Sequence, residues 1–170
     1  MEYIKFKKLG NGYVLVNYNT FKQLNPLTFD EVWSFHNEIA RVKKEGKGFN
    51  FINEQGELLW KEDIWFDNVS YFSEGFALVN KEGKGWNWIN TNGELLWKEE
   101  EWFNKVWDFR KIDDKKLAGV YKEGKGYTYI NEQGELIYKG DKWVDYLWDL
   151  NSIYYDEYLR DFYEGFALNK

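Results

Sequence analysis

Residues 83–97 read Gly83-Lys84-Gly85-Trp86-Asn87-Trp88-Ile89-Asn90-Thr91-Asn92-Gly93-Glu94-Leu95-Leu96-Trp97, and their reading decides the fold. Asn90 suits the first position of a four-residue turn and Gly93 the fourth, where a positive φ is needed. Aromatic and β-compatible residues on both sides make this a β-hairpin signature. The same turn returns as Asn53-Glu54-Gln55-Gly56 and Asn131-Glu132-Gln133-Gly134, each preceded by its own Gly-Lys-Gly at 46–48 and 124–126. A fainter copy opens at Gly10-Asn11-Gly12, and its turn, Asn17-Tyr18-Asn19-Thr20, lacks the Gly and is expected to turn differently. The copies start 36, 37 and 41 residues apart, a spacing that marks repeat architectures in which each unit buries a face against the next.

After each hairpin comes an aromatic hinge: Thr28-Phe29-Asp30, Trp65-Phe66-Asp67, Trp102-Phe103-Asn104 and Trp143-Val144-Asp145. A closing strand follows, read as 72–80 in the second copy and 162–169 in the fourth. Both of its faces are apolar, as a strand covered by neighbours on two sides requires. Phe49, Trp86 and Tyr127 share one repeat position, and Phe51, Trp88 and Tyr129 another two residues on, so the rings are expected to stack in ladders. Residues 3–8 precede Gly10 as residues 39–44 precede Gly46, which gives five closing strands to four hairpins. The count favours an all-β open array, solenoid-like or a twisted meander, over the alternative of a small β-propeller. One domain over 1–170 is expected, with repeats at 10–45, 46–82, 83–123 and 124–170 behind a capping strand at 1–9.

Aromatics make up 21 % of the 170 residues, and at roughly 150–250 Å² buried per ring they can build most of a core. The absence of Cys excludes disulfides and thiolate metal sites and fits a cytoplasmic setting. No apolar run approaches the ~18 residues of a membrane span, and 1–7 lack the apolar stretch of a signal peptide, so the mature protein is expected to start here. Twenty Lys against three Arg, with abundant Asn, Ile, Tyr and Phe, suggest AT-rich coding in a bacterium or its phage. The net charge of −6 argues against nucleic acid as a partner and for a basic one.

The chain resembles the WG-containing repeat family, whose units look like K-W-G-Y-I-D-x-x-G-K, then Y-D, then F-S-E-G-L-A-x-V. The matching residues are Gly85-Trp86-Asn87-Trp88-Ile89-Asn90 with Gly93, the hinge Trp65-Phe66-Asp67, and Phe72-Ser73-Glu74-Gly75-Phe76-Ala77-Leu78-Val79. The family's Gly after Trp is replaced by Asn50, Asn87 and Thr128, and its Trp by Phe49 and Tyr127. The resemblance implies a β-repeat interaction module of bacteria and their phages, without catalytic residues.

The residues themselves supply little chemistry. His36 is the only histidine, so neither a histidine-based triad nor a multi-histidine metal site can be assembled. Asp30, Asp67 and Asp145 recur at one repeat position where Asn104 stands in the third copy; an acid–base pair would not tolerate the amide, whereas a turn-capping acceptor would. Glu57, Glu94 and Glu135 are expected to be exposed. Gly-Lys-Gly lacks the following helix and Lys-Ser/Thr pair of a phosphate loop, and reads as a tight connection between strands. No catalytic residue, metal or cofactor is therefore expected.

Insertions single out one region. Copy three adds four residues near 111–114 and copy four adds twelve between its hinge and Phe162, and the stretch between Leu150 and Phe162 could form a short helix. Within 141–163, Trp143, Tyr146, Trp148, Tyr154, Tyr155 and Tyr158 mingle with Asp156 and Glu157. Interface hot spots favour Trp and Tyr, so these eight residues are the candidate contact surface for another protein. The expected function is a non-catalytic protein-binding module, an adaptor or an inhibitor. Carbohydrate or cell-wall binding, and a phage-encoded antagonist of host defence or DNA mimic, are the alternatives. Membranes are not expected as partners, and the sequence leaves the oligomeric state open.

Overall fold

The computed structural model describes residues 4–61, 63, 65–98, 102–112, 115–137 and 143. The described residues form fourteen strands and no helix, in four small antiparallel sheets, none closed into a barrel. The chain divides into two compact units, Met1–Leu95 and Leu96–Lys170.

The first unit holds three sheets of one pattern. They are β1 (Ile4–Leu9), β2 (Gly12–Asn17) and β3 (Lys22–Gln23); β4 (Glu31–Val32), β5 (Ile39–Lys44) and β6 (Gly48–Asn53); and β7 (Asn68–Val69), β8 (Phe76–Lys81) and β9 (Gly85–Asn90). The second unit holds one five-stranded sheet. In it β12 (Lys115–Lys122) pairs with β10 (Lys105–Val106), β11 (Arg110–Ile112) and β13 (Gly126–Asn131), and β13 pairs with β14 (Leu136–Ile137).

Six-pair ladders span each of the Gly-Lys-Gly loops. Lys44 pairs with Gly48 and Ile39 with Asn53, and the same register returns as Lys81↔Gly85 with Phe76↔Asn90, and as Lys122↔Gly126 with Leu117↔Asn131. The loop is thus three residues, Glu-Gly-Lys, with the second Gly of Gly-Lys-Gly opening the next strand, as expected of a tight connection. One consequence differs from the expected unit: a closing strand pairs with the opening strand of the next copy, so each sheet is stitched from two sequence copies. The turn at Asn53 also forms, with Gly56 N–H donating to Asn53 O at 3.0 Å and Gly56 at φ 85°. The strand after it is reduced to the bridge Ile52↔Leu58. The chain then returns along the same edge, and Phe49 and Phe66 exchange backbone hydrogen bonds of 2.7 and 3.0 Å.

The closing strand is shorter than 72–80. Ser73 and Phe76 exchange hydrogen bonds of 2.8 and 3.0 Å around Glu74 and Gly75, whose φ values are 52° and 90°. Two successive left-handed residues make a tight two-residue hairpin turn and end the extended run. The first copy makes the same turn with Asn37 and Glu38 at 49° and 67°. In copy three the four added residues lengthen this hairpin, so that β12 has eight residues against six in β5 and β8. The Gly-less first turn is indeed different: Val16 pairs with Gln23, one residue later than Ile52 with Leu58, and Phe21 takes the left-handed place at φ 56°.

The core of the first unit centres on Leu15, Phe29, Ala40, Val42, Ile52 and Trp65, with Phe6, Leu24, Val32, Phe35 and Trp60 among the side chains packed around it. Hinge residues Phe29, Phe66 and Phe103 are fully buried, and each such ring contributes about 1.5–3 kcal/mol through the water it leaves. At the first ladder position Phe49 lies 5.9 Å from Trp33 and Tyr127 6.0 Å from Trp107, each within its own sheet, whereas Phe51 at the second position meets Phe72, between β7 and β8 of the next sheet, edge-on at 4.8 Å. Trp33 and Trp107 directly follow the short strands β4 and β10.

Candidate functional site

Most of the recurrent polar residues serve turns. Asp30 and Asp67 accept the backbone N–H of Glu45 and Glu82 at 2.7 and 2.6 Å, and Asn104 accepts that of Glu123 at 2.7 Å. These are the turn-capping acceptors that tolerance of an amide implied. Glu57, Glu94 and Glu135 are exposed and accept from Asn53, Asn90 and Asn131 at 3.1, 2.9 and 2.8 Å. His36 is exposed, closes the Asn37-Glu38 turn through its backbone, and meets Tyr71 edge-on at 6.3 Å.

The residues that depart from the repeat lie elsewhere. The common register puts Phe6, Arg41, Leu78 and Gly119 at one position of the closing strand. Arg41 is the only charged residue among them. Its guanidinium lies 3.9 Å from the Trp33 ring centroid and 4.5 Å from that of Tyr71. It donates to Val69 O at 3.3 Å and to the Tyr71 hydroxyl at 3.4 Å, while its buried Nε has no hydrogen-bond partner. Stacking of this kind holds a cation with about 0.5–2 kcal/mol. Two residues further along the same strand, Lys43 pairs with Glu31 at 2.5 Å and sits 5.2 Å from the Phe49 ring centroid.

The fourth sheet repeats this aromatic frame without those two cations. The Trp107 N–H donates to Gly119 O at 3.0 Å, as the Trp33 N–H does to Arg41 O at 3.0 Å. Trp107 tilts at 45° against Tyr127, and Trp33 at 39° against Phe49. Gly119 replaces Arg41, and Tyr121, 4.6 Å from Tyr127, replaces Lys43. Trp107 is 42 % exposed. Sequence reading passed over this frame, although the signal was available: Arg41 is one of three arginines and stands where the other copies carry Phe, Leu or Gly.

Of the contact surface expected at 141–163, only Trp143 is described. It is half-buried, with Lys125 Nζ 5.9 Å from its ring centroid, repeating the 5.8 Å contact of Lys47 with Trp65. Tyr146, Trp148, Tyr154, Tyr155, Asp156, Glu157 and Tyr158 lie outside the described residues, as do Asp145, the helix considered for the twelve-residue insertion and the closing strand at 162–169.

Among solved structures, the computationally designed Ika8 protein is similar at a TM-score of 0.38 and 13 % identity, over 82 % of this chain and 48 % of its own. The chain thus spans about half the length of that protein. The computationally designed Ika4 protein matches at a TM-score of 0.37 and 13 % identity over 71 % of this chain and 80 % of its own. BamB from Moraxella catarrhalis matches at 0.37 and 10 % identity, over 79 % of this chain and 47 % of its own. No curated protein matches the chain in sequence. The WG containing repeat matches residues 20–47 and 66–84. These stretches run through β4, β5 and the Asn37-Glu38 turn, and through β7, β8 and the Glu74-Gly75 turn, so the family match supports reading the chain as a β-repeat module similar to the WG containing repeat.

Proposed function

We propose that this module is a non-catalytic protein-binding repeat, acting as an adaptor or an inhibitor of another protein in the cytoplasm of a bacterium or of a phage-infected cell. The observation that carries this reading is the division of labour among side chains. The recurrent carboxylates and amides are engaged in turns, whereas several large aromatic groups stand in water: Phe21 is 82 % exposed, Tyr71 55 % and Trp107 42 %. Rigid aromatic groups of this kind supply most of the energy at protein interfaces. The net charge of −6 favours a basic partner over a nucleic acid or an anionic membrane.

The acidic, aromatic segment 141–163 is the contact surface in this reading. Affinity capture from host lysate, with the intact chain and a variant lacking 151–161 as baits, tests it. The variant is expected to lose the specific partner while its circular dichroism and melting temperature stay unchanged. Equal capture by two equally folded baits would remove that surface from the proposal.

A further inference from the structure

The Trp33–Arg41 stack is an internal template for a ligand. We propose that the face of Trp107 binds the guanidinium of an arginine side chain carried by a partner protein. The inference rests on the reading of the chain as a protein-binding module, and it names one site and the chemistry that site takes.

The two frames are built alike. Each tryptophan follows a two-residue strand, donates its backbone N–H to the same position of the closing strand, and tilts against an aromatic ring about one sheet position away, at 5.9 Å in one case and 6.0 Å in the other. In the second sheet the chain fills the frame itself, with the Arg41 guanidinium 3.9 Å above Trp33. In the fourth sheet Gly119 supplies no side chain, and among the described residues no cation lies over Trp107. Lys105 Nζ approaches Tyr121 instead, at 5.7 Å.

Charge agrees with this occupant. Lys43, which would repel a second cation, is replaced by Tyr121, and the residue after Trp107 is Asp108, an exposed carboxylate. A planar guanidinium suits the site better than an ammonium because it stacks on an indole face while its edge still donates hydrogen bonds.

The test uses the full chain labelled with ¹⁵N, and follows the Trp107 indole N–H signal, assigned with Trp107→Phe. The probes are acetyl-Gly-Arg-Gly-amide and its Lys and Leu counterparts. The Arg peptide is expected to bind about two- to fivefold more tightly than the Leu peptide, with Lys between them. Gly119→Arg fills the frame with the chain's own guanidinium. Gly119 is buried but does not occupy the left-handed region, so the change strains no backbone dihedral and asks only for side-chain room. This variant is expected to keep the fold and to lose the peptide response.

Equal responses to the three peptides, or a response that survives Gly119→Arg in a folded protein, would overturn the site. If Gly119→Arg does not fold, Arg41→Gly decides: it should open the second sheet's frame and create a Trp33 response to the Arg peptide, and its absence in a folded variant counts against the proposal. Failure of the peptide titration leaves the capture experiment on 151–161 standing, so the two readings fall separately.

Discussion

The Asn50 side chain is fully buried and serves both backbone groups of Trp60, donating to its carbonyl at 2.8 Å and accepting its N–H at 3.1 Å. Its Oδ1 also accepts the N–H of Phe51 at 2.7 Å. The side chain therefore acts as an extra rung, holding the returning segment where the strand pairing has already lapsed. Removing one partner of a buried polar pair costs about 1–3 kcal/mol. Asn50→Ala is expected to lose at least that much, read as a lower urea midpoint at unchanged slope; a loss below half a kcal/mol, a value on the order of a surface substitution's effect, would show that water serves these groups equally well. Sequence comparison marked Asn50 and Asn87 as departures where the family has Gly. What it could not supply was the partner, because Trp60 is ten residues away and meets Asn50 only through the return of the chain along the strand edge.

Two glycines of one repeat separate backbone conformation from close approach. Gly46, at φ 73° in the Gly-Lys-Gly loop, has open space where a Cβ would point. Gly56, at φ 85°, would place a Cβ 2.5 Å from the carbonyl oxygen of Leu24 in the preceding sheet. Gly134 meets the Leu96 carbonyl in the same way at 2.5 Å. Gly46→Ala carries only the left-handed penalty, about 1–2 kcal/mol, whereas Gly56→Ala must also push one sheet off its neighbour. Thermal melts should therefore rank Gly56→Ala well below Gly46→Ala, and the reverse order would break this account of sheet contact. Both turns were legible in the sequence, since Gly at a fixed offset has a single local explanation. The Ser73-Glu74-Gly75-Phe76 turn was not, because its apolar flanks continue the strand pattern on both sides and Glu38 shows that Gly is not even required there. Of the expected contact surface only Trp143 falls among the described residues, and the Trp107 frame escaped notice because its meaning depends on a comparison of sheets.

At the scale of the molecule, the period of the sequence and the period of the sheets are equal but out of phase. The repeat read from the chain begins at Gly-Lys-Gly, while the sheet begins two strands earlier, at the short strand after the aromatic hinge. Pattern reading finds the period easily and the phase poorly, since a circular shift of the unit leaves every spacing unchanged. The phase has a genetic meaning. Lys44-Glu45-Gly46-Lys47-Gly48 and Lys81-Glu82-Gly83-Lys84-Gly85 are identical in sequence and join strands of identical register. Unequal recombination between them would add or remove 37 residues while leaving every hairpin loop intact. A protein lacking residues 46–82 should therefore pair β5 with β9 and unfold cooperatively as a shorter array; a molten product, judged by the loss of near-ultraviolet circular dichroism, would refute the joint. The loop that is silent as a phosphate site is in this sense a seam at which copy number can change without a break in the fabric.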